Sequence, residues 1–304
     1  MNLKEIAKKG ERVSPGHRLC AGCAAGSVAR MVMNASENPA VVGCATGCLE
    51  VSTTIYPYTA WEDSFIHNAF ENVAATVSGV EAAYRAMRKK GKIEEDYDFI
   101  AFGGDGGTYD IGFQSLSGAM ERGHDMLYVC YDNGAYMNTG IQRSSATPKG
   151  ANTTTSPAGK VIPGKQQYRK ELTDIVAAHG IPYVAQAAPW KPQDLIKKVK
   201  KALAVDGPTF INILSPCPRG WRTASEKSIE ISKTATQTCF WPLFEIEEGE
   251  WTLNYEPTNK KPIEEWLEPQ GRFKHLFTEE NKEMIDEIQE HVDKRWAKIK
   301  KMAK

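Results

Sequence analysis

The sequence contains seven cysteines, and two pairs of them are closely spaced. Two residues separate Cys20 from Cys23, and three separate Cys44 from Cys48. Close thiols can form a disulfide, hold zinc, act as a dithiol redox pair or bind an iron–sulfur cluster. The N-terminal segment lacks the apolar core of a signal peptide, so we expect a cytoplasmic protein, in which structural disulfides are rare. The spacing alone suits a four-thiolate zinc ribbon as well as a cluster.

A second motif surrounds Asp105, in the stretch FGGDGGTYDIG (102–112). The glycines Gly104 and Gly106 let the backbone approach a ligand closely, and the helix expected next offers free N–H groups to an anion. The spacing fits neither the dinucleotide fingerprint nor the P-loop. Asp105 supplies a hard oxygen ligand for Mg²⁺. The loop predicts a diphosphate site, although a tight turn explains a lone Gly-Asp-Gly equally well.

Asn133 follows the next predicted strand, in the stretch YDNGAYMNTG (131–140). One helix and one strand separate it from Gly106, and this arrangement places the two strand ends side by side. We therefore expect Asp105 and Asn133 to coordinate the same cation.

The sequences of these motifs resemble those of a known family. Gly104-Asp105-Gly106 followed by Asn133 resembles the thiamin diphosphate motif. The stretches GDGGTYDIG (104–112), RGHD (122–125) and DNGAYMNTGIQRSSATPKGANTTTSPAGK (132–160) resemble the β subunits of the 2-oxoacid:ferredoxin oxidoreductases, closest to the pyruvate branch. The resemblance runs from about residue 20 to residue 221 and includes the aromatic-rich arm that follows.

The resemblance implies a [4Fe–4S] cluster beside thiamin diphosphate. The family's cluster ligands are a Cys-x-x-Cys pair, a third cysteine and a distant fourth, and the matching residues are Cys20, Cys23, Cys48 and Cys217. Beside a thiamin site an electron acceptor has a chemical purpose that a structural zinc ion lacks, so a cluster is favoured over zinc. Under this hypothesis the remaining thiols, Cys44 and Cys239 among them, are not ligands.

The same resemblance assigns residues to thiamin and its metal. It implies that Asp105, Asn133 and the backbone carbonyl of Ala135 hold Mg²⁺ on the diphosphate. Asn138 matches an amide near the reacting carbon, where it would hydrogen-bond a developing oxyanion, although it could also be a turn residue before Gly140. Weaker candidates for lining the cofactor are Thr46, Gly47, Ile111 and Gly112.

The activity implied is thiamin-dependent oxidative decarboxylation of a 2-oxoacid, with pyruvate as the first expectation. Electrons would pass to the cluster and on to ferredoxin, and coenzyme A would take the acyl group. In this family the glutamate that activates thiamin lies in the α subunit, and no segment here matches it or a ferredoxin-like subunit. We therefore expect a hetero-oligomer with α, γ and δ subunits, and a chain that is inactive alone.

Two departures from the family pattern concern the substrate. Gly134 stands where many relatives carry a Glu, and Ala24-Ala25 replaces a Gly-containing step. Loss of an acid would ease the approach of a more anionic substrate, so oxalate remains an alternative to pyruvate, as does a branched-chain 2-oxoacid. Two hypotheses from different classes of protein also stay open: a non-redox thiamin decarboxylase without a cluster, and a zinc-stapled scaffold protein.

The elements that would position these residues follow a βαβ pattern. Short apolar runs alternate with helical patterns, which is typical of a doubly wound, mostly parallel α/β sheet. We expect strands over 40–43, 98–104, 126–132, 183–188 and 208–214. We expect helices over 68–91, 111–123, 168–180 and 191–207. Sites in such sheets lie at the carboxyl ends of strands, where both motifs occur.

Two stretches interrupt this alternation. The segment 134–167 is rich in Gly, Ser, Thr, Asn and Pro and follows a strand end, which favours a functional loop. The alternation ends near residue 216, and a charged helix is expected from about residue 278. We therefore predict a thiamin-binding domain with the iron–sulfur site over 1–222 and a subunit-contacting arm over 223–304. One face of the final helix carries apolar residues: Ile285, Ile288, Val292, Trp296 and Ile299.

The charge composition gives no sign of a nucleic-acid partner, because 38 Lys and Arg balance 38 Asp and Glu. No apolar run approaches the length of a membrane span. We therefore predict neither nucleic-acid binding nor a membrane protein.

Overall fold

An eight-stranded sheet runs through the computed structural model, which describes residues 8–303. Residues 1–7, part of the segment inspected for a signal peptide, and Lys304 lie outside the described residues. The strand order is β2-β1-β3-β4-β6-β5-β7-β8. The strands are β1 (Ala40–Ala45), β2 (Ser64–Asn68), β3 (Asp98–Gly104), β4 (Met126–Asp132), β5 (Tyr183–Ala187), β6 (Pro208–Leu214), β7 (Phe244–Glu247) and β8 (Glu250–Leu253).

The central strands are apolar along their whole length because helices cover both faces of the sheet. Strands β1 to β6 are parallel, and β4 and β6 are fully buried. The helices of this part are α1 (Ala24–Ala35), α2 (Cys48–Thr53), α3 (Val73–Lys89), α4 (Phe113–Glu121), α5 (Leu172–Ala177) and α6 (Pro192–Leu203). One core includes side chains of α1 and α6, and the other includes side chains of α3, α4 and α5. The predicted doubly wound sheet is confirmed.

The five predicted strands are all present, but β2 was missed. Its sequence, SFIHN, is short and lies at the sheet edge with only Asn68 buried, so it carries no apolar run. The helix expected from residue 111 is preceded by a π-helix, Gly106–Ile111, which starts directly after Asp105. Such π-helical turns are rare and frequently mark functional sites.

After residue 216 the chain returns to the sheet. Strand β7 pairs with the free edge of β5 in antiparallel orientation, and β8 pairs in turn with β7. The sequence predicted no strand here because each is four residues long and carries charged positions. The α-helices of this part are α7 (Pro218–Trp221), α8 (Ser228–Gln237), α9 (Glu264–Leu267) and α10 (Lys282–Met302). The division at residue 222 remains a prediction, although both sides share a core of buried aromatic side chains.

The apolar face predicted for the last helix packs within the chain. All five of its residues, Ile285, Ile288, Val292, Trp296 and Ile299, are at most 8% exposed. This packing is the expected behaviour of an amphipathic helix on its own domain. Within residues 8–303, no helix is both long enough and apolar enough to cross a membrane.

We expect Trp296→Ala to lower the free energy of unfolding by about 3 kcal/mol, since truncating a buried aromatic leaves a cavity. Lys294→Ala, on the exposed side of the same helix, should change it by less than about 0.5 kcal/mol. Urea unfolding of both variants measures the difference. Equal effects would show that the helix does not pack as described.

Candidate functional site

The predicted site residues meet at one edge of the sheet, beyond the carboxyl ends of the parallel strands. A cleft of about 330 Å³ opens there. Nine of the predicted residues line it: Thr46, Gly47, Cys48, Gly104, Asp105, Gly106, Asn133, Ala135 and Asn138. Ile111 and Gly112 are not among its lining residues, and Ile111 is 56% exposed. Strand-end placement thus brings the two sequence motifs into one cleft.

The glycine loop needs its glycines because Tyr136 covers it. A Cβ atom on Gly106 would collide with the Tyr136 ring, and one on Gly107 would come 2.8 Å from the carbonyl oxygen of Phe70. The Tyr136 hydroxyl donates to the carbonyl of Gly106 at 2.8 Å. Glycine is therefore required at both positions by the close packing of Tyr136 and Phe70. Tyr136 and Phe70 also line the cleft, and the sequence analysis did not find them.

The side chains of Asp105 and Asn133 and the carbonyl oxygen of Ala135 lie together in the cleft. The side-chain amide of Asn133 lies 2.9 Å from both Asp105 Oδ1 and the Ala135 carbonyl oxygen. With its nitrogen towards them, the amide donates to both. Turned over, it presents a third oxygen, an arrangement that only a cation would stabilise. This all-oxygen set suits Mg²⁺.

Asp105 lacks a cationic partner among the described residues although it is fully buried. Burial and the nearby Asp132 carboxylate raise the pKa of Asp105 to about 8, while a hydrogen bond from Ser144 opposes the shift. A bound cation would favour the ionised form instead. Asp132 already has partners, since Arg169 donates to it at 2.7 Å and Tyr109 at 2.6 Å. Of these two carboxylates, Asp105 is therefore the one free to bind a metal.

Backbone contacts bring the first cysteine pair to Cys217. The N–H of Cys23 donates to the carbonyl of Cys20 at 3.0 Å, and the N–H of Ala24 donates to the carbonyl of Pro216 at 3.2 Å. Cys217 caps α7, where its Sγ accepts a hydrogen bond from the N–H of Gly220 at 3.3 Å. The loop after β6 and the start of α1 thus hold these three thiols together.

Cys48, the first residue of α2, completes the group. Burial raises the pKa of the Cys48 thiol to about 12, with further contributions from Cys217, Cys23 and Cys20 in that order. The four predicted cysteines are therefore close enough to act on one another electrostatically. Cys44 is fully buried in β1 and Cys239 is buried in the arm.

The four thiols are not arranged around a single ion. In the part of the chain from residue 8 to 303, no three His, Cys, Asp or Glu side chains converge as ligands of one metal ion. A structural zinc ion requires all its sulfur ligands about 2.3 Å away. In a [4Fe–4S] cluster each thiolate binds a different iron, so the ligands lie further apart. A four-thiolate zinc site is therefore not preformed among the described residues.

The thiol group and the cleft share a wall. Asn138 Oδ1 lies 3.9 Å from Cys48 Sγ. Tyr131, which the sequence analysis missed, lies near the same wall: its hydroxyl would be 2.7 Å from a Cβ on Gly47, and its ring packs on Gly104. This hydroxyl is buried without a hydrogen-bond partner in the described residues, as expected of a group that meets a ligand. Nothing in the sequence around Tyr131 could have indicated it, because its role depends on its surroundings in the fold.

The buried side chain of Lys165 holds the long loop 134–167 in place through hydrogen bonds. Its Nζ donates to the carbonyl of Thr147 at 2.5 Å and to that of Ser145 at 3.3 Å. The side chain is 1% exposed. Burial, with smaller contributions from Arg143 and Arg169, lowers the pKa of Lys165 to about 7. The loop next to the cleft is thus held by an amine whose charged form is disfavoured.

We expect Lys165→Met to cost more stability at pH 9 than at pH 6. Between the folded pKa of about 7 and the unfolded pKa of about 10.4, the unfolded chain binds the extra proton. The contribution of Lys165 to the free energy of unfolding therefore rises with pH. Urea unfolding at both pH values measures the effect, with the exposed Lys160→Met as control. A cost independent of pH would contradict the lowered pKa.

Comparison with known proteins places this cleft in a family. Residues 42–213 match the family model described as thiamine pyrophosphate enzyme, C-terminal TPP binding domain. Pyruvate synthase subunit PorB of Thermotoga maritima is 54% identical over 98% of this chain and 95% of its own length. Ketoisovalerate oxidoreductase subunit VorB of Pyrococcus furiosus is 45% identical over 96% of this chain and 94% of its own.

A solved structure supports the fold. The 2-oxoglutarate:ferredoxin oxidoreductase from Magnetococcus marinus is similar with a TM-score of 0.55 at 20% identity, covering 73% of this chain and 78% of that chain. The family of β subunits predicted from the motifs is confirmed. The chain belongs to the thiamine pyrophosphate enzymes and, within them, to the PorB family of pyruvate synthase subunits.

Proposed function

We propose that this chain is the β subunit of a pyruvate:ferredoxin oxidoreductase, in which it holds thiamin diphosphate, Mg²⁺ and a [4Fe–4S] cluster. The observation that carries the proposal is the wall shared by the cleft and the thiols, where Asn138 meets Cys48 at 3.9 Å. When bound, thiamin supplies the electron sink that lets a 2-oxoacid lose CO₂. An electron acceptor at the thiols would then lie next to the reacting molecule.

Three oxygen donors, from Asp105, Asn133 and Ala135, would hold Mg²⁺ on the diphosphate. The Gly104–Gly107 loop would receive the diphosphate itself, since three of its four residues are glycines. A bound metal ion would neutralise the charge of the buried Asp105 carboxylate. This arrangement is the reason for preferring a diphosphate cofactor to a simple turn.

Asn138 lies exposed at the mouth of the cleft, beside the thiols. From there its amide can hydrogen-bond oxygen atoms of the substrate and stabilise negative charge that develops on them. The orphaned hydroxyl of Tyr131 is a second donor, deeper in the cleft. Both groups orient ligands without supplying a proton acceptor.

The proposal includes partner subunits because the cleft is chemically incomplete. Asp105 is the one acidic side chain among the residues that line it, and it is committed to the metal. The glutamate that activates thiamin must then come from an α subunit. Electrons would leave through γ and δ subunits, the δ ferredoxin-like, to ferredoxin, and coenzyme A would accept the acyl group. The relatives, described as pyruvate synthase subunits, are consistent with such an assembly.

Pyruvate is favoured over oxalate because the backbone conformation accounts for the glycine at position 134. Its φ is +75°, a conformation that favours glycine. A Cβ there would also come 3.1 Å from Arg272 and 3.4 Å from Pro148. The turn therefore accounts for the glycine at this position. The absence of an acid here gives no independent support to a more anionic substrate.

The test is cofactor analysis and activity of the complex purified anaerobically. We expect iron, sulfide, thiamin diphosphate and Mg²⁺, and reduction of ferredoxin that depends on pyruvate and coenzyme A. Thiamin without iron would favour a non-redox decarboxylase, and zinc would favour a scaffold protein. Turnover of oxalate or a branched-chain 2-oxoacid in place of pyruvate would overturn the substrate assignment.

A further inference from the structure

Arg272 is a buried cation without an anionic partner among the described residues. It lies in the 3₁₀ helix Gly271–Leu276 and is 2% exposed. Its Nε donates to Gln270 Oε1 at 2.9 Å, and its guanidinium lies 4.3 Å from the ring centre of Trp221. Among residues 8–303, no carboxylate forms an ion pair with it. A buried charge normally requires a partner of opposite sign, so we expect an anionic group to pair with this guanidinium.

The nearest carboxylates do not meet that need. Asp132 is engaged by Arg169, and Asp105 faces Asn133 and Ala135. Of the charges that favour the protonated guanidinium, the largest contribution comes from the Cys217 thiol, ahead of both carboxylates. Burial, with a smaller contribution from Arg169, lowers the pKa of Arg272 to about 9, so it stays charged at neutral pH.

Trp221 connects this cation to the thiol group and to the metal loop. The indole belongs to α7, the helix that Cys217 caps, and its Nε1 donates to the carbonyl of Asn133 at 2.7 Å. The guanidinium also reaches the loop, since its Nη1 would lie 3.1 Å from a Cβ on Gly134. Arg272 is thereby fixed between the loop after β4 and the cysteine that follows β6.

We propose that Arg272 is the counter-ion of the redox centre held by Cys20, Cys23, Cys48 and Cys217, and that its charge raises the reduction potential of that centre. The inference rests on the proposed function, because it needs a cluster at these thiols. One electron entering the centre adds one negative charge, and a fixed cation in a dry environment stabilises the more negative state. Under the proposed function the 2-oxoacid supplies that electron. Arg272 is a positioning residue in this role, since it contacts no substrate.

The experiment is a redox titration of the cluster signal with dithionite, followed by electron paramagnetic resonance, in the anaerobically purified complex. Iron and sulfide are measured first in every sample. Arg272→Met removes the charge and keeps the bulk, Arg272→Lys keeps the charge, and Arg295→Met is the control. Arg295 is a mostly buried guanidinium that is already paired with Asp174.

We expect Arg272→Met to lower the ratio of reduced to oxidised cluster about tenfold at a fixed potential, which is a shift of about 59 mV for a one-electron couple. Arg272→Lys should restore most of the shift, and Arg295→Met should show none. A merely structural role would change cluster content but not the midpoint of the clusters that remain. An unchanged midpoint in Arg272→Met, or equal shifts in the Met and Lys variants, would overturn the inference.

If Arg272→Met fails to retain iron, cluster retention becomes the readout. Retention in Arg272→Lys together with loss in both Arg272→Met and Arg272→Gln supports the need for a positive charge. Loss of iron in the Lys variant as well overturns it. If the wild-type complex lacks the iron of this cluster beyond that of its ferredoxin-like subunit, the proposed function itself is refuted, so the two failures are distinguishable.

Discussion

Asp105→Asn should abolish the retention of thiamin diphosphate and Mg²⁺ while the chain stays folded. Asparagine keeps the shape of the side chain and an oxygen for the N–H of Asn133, which donates to Asp105 at 3.3 Å. It loses the negative charge that faces the metal. Because loss of partners outside the ligand set already costs about 10–100-fold in metal affinity, we expect loss of a charged ligand to exceed about 100-fold.

Thiamin and magnesium contents of the desalted complex measure this loss. Stability gives a second readout, since a ligand at about 100 times its Kd stabilises a protein by about 2.7 kcal/mol, and the variant should lack that gain. Asp110→Asn is the matched control, because Asp110 lies in the π-helix that directly follows Asp105 and accepts a hydrogen bond from the N–H of Ser145 instead. Full cofactor content in Asp105→Asn would refute the metal site.

Cys217→Ser should remove from the complex the iron and sulfide of one [4Fe–4S] cluster per copy of this chain, while the clusters of a ferredoxin-like subunit stay. A serine hydroxyl does not ionise at neutral pH, so it cannot replace a thiolate ligand of the cluster. The distant position of Cys217, after β6, also ties α7 to the N-terminal thiols, and we expect a less stable arm in the variant. Iron analysis and the cluster signal measure the effect.

Cys239→Ala is the matched control for Cys217→Ser. Cys239 lies in the arm that follows Cys217 and is 1% exposed, but it is not part of the thiol group. We expect it to keep its iron. The cluster assignment would fail if Cys217→Ser bound normal iron, or if wild-type protein contained stoichiometric zinc in its place.

Strands and site residues that are marked by a pattern in their own stretch of sequence could be predicted. Those that are placed by packing between distant parts of the chain could not. Strands β3, β4 and β6 have the bounds that the sequence predicts, because buried parallel strands are continuous apolar runs. Asp105 and Asn133 were found because each directly follows such a strand. Strand β7 was missed because its sequence, Phe244–Glu247, acquires its place only by pairing with β5.

The same difference between local and long-range signals applies to the site residues. Cysteine spacing and the family resemblance were enough to select Cys20, Cys23, Cys48 and Cys217, which the structure gathers. Arg272 carries no local signal, since only the fold puts a residue of the last third of the chain beside Cys217. Tyr131 was treated as an ordinary strand residue, because an orphaned hydroxyl can be recognised only once its surroundings are known.

The β7–β8 hairpin also has a consequence for solubility. An open edge of a sheet presents unpaired N–H and C=O groups to other chains and promotes aggregation. Since β7 occupies the edge of β5, a chain ended at residue 222 would expose that edge. The arm therefore protects the protein against self-association, in addition to any contact that it makes with other subunits.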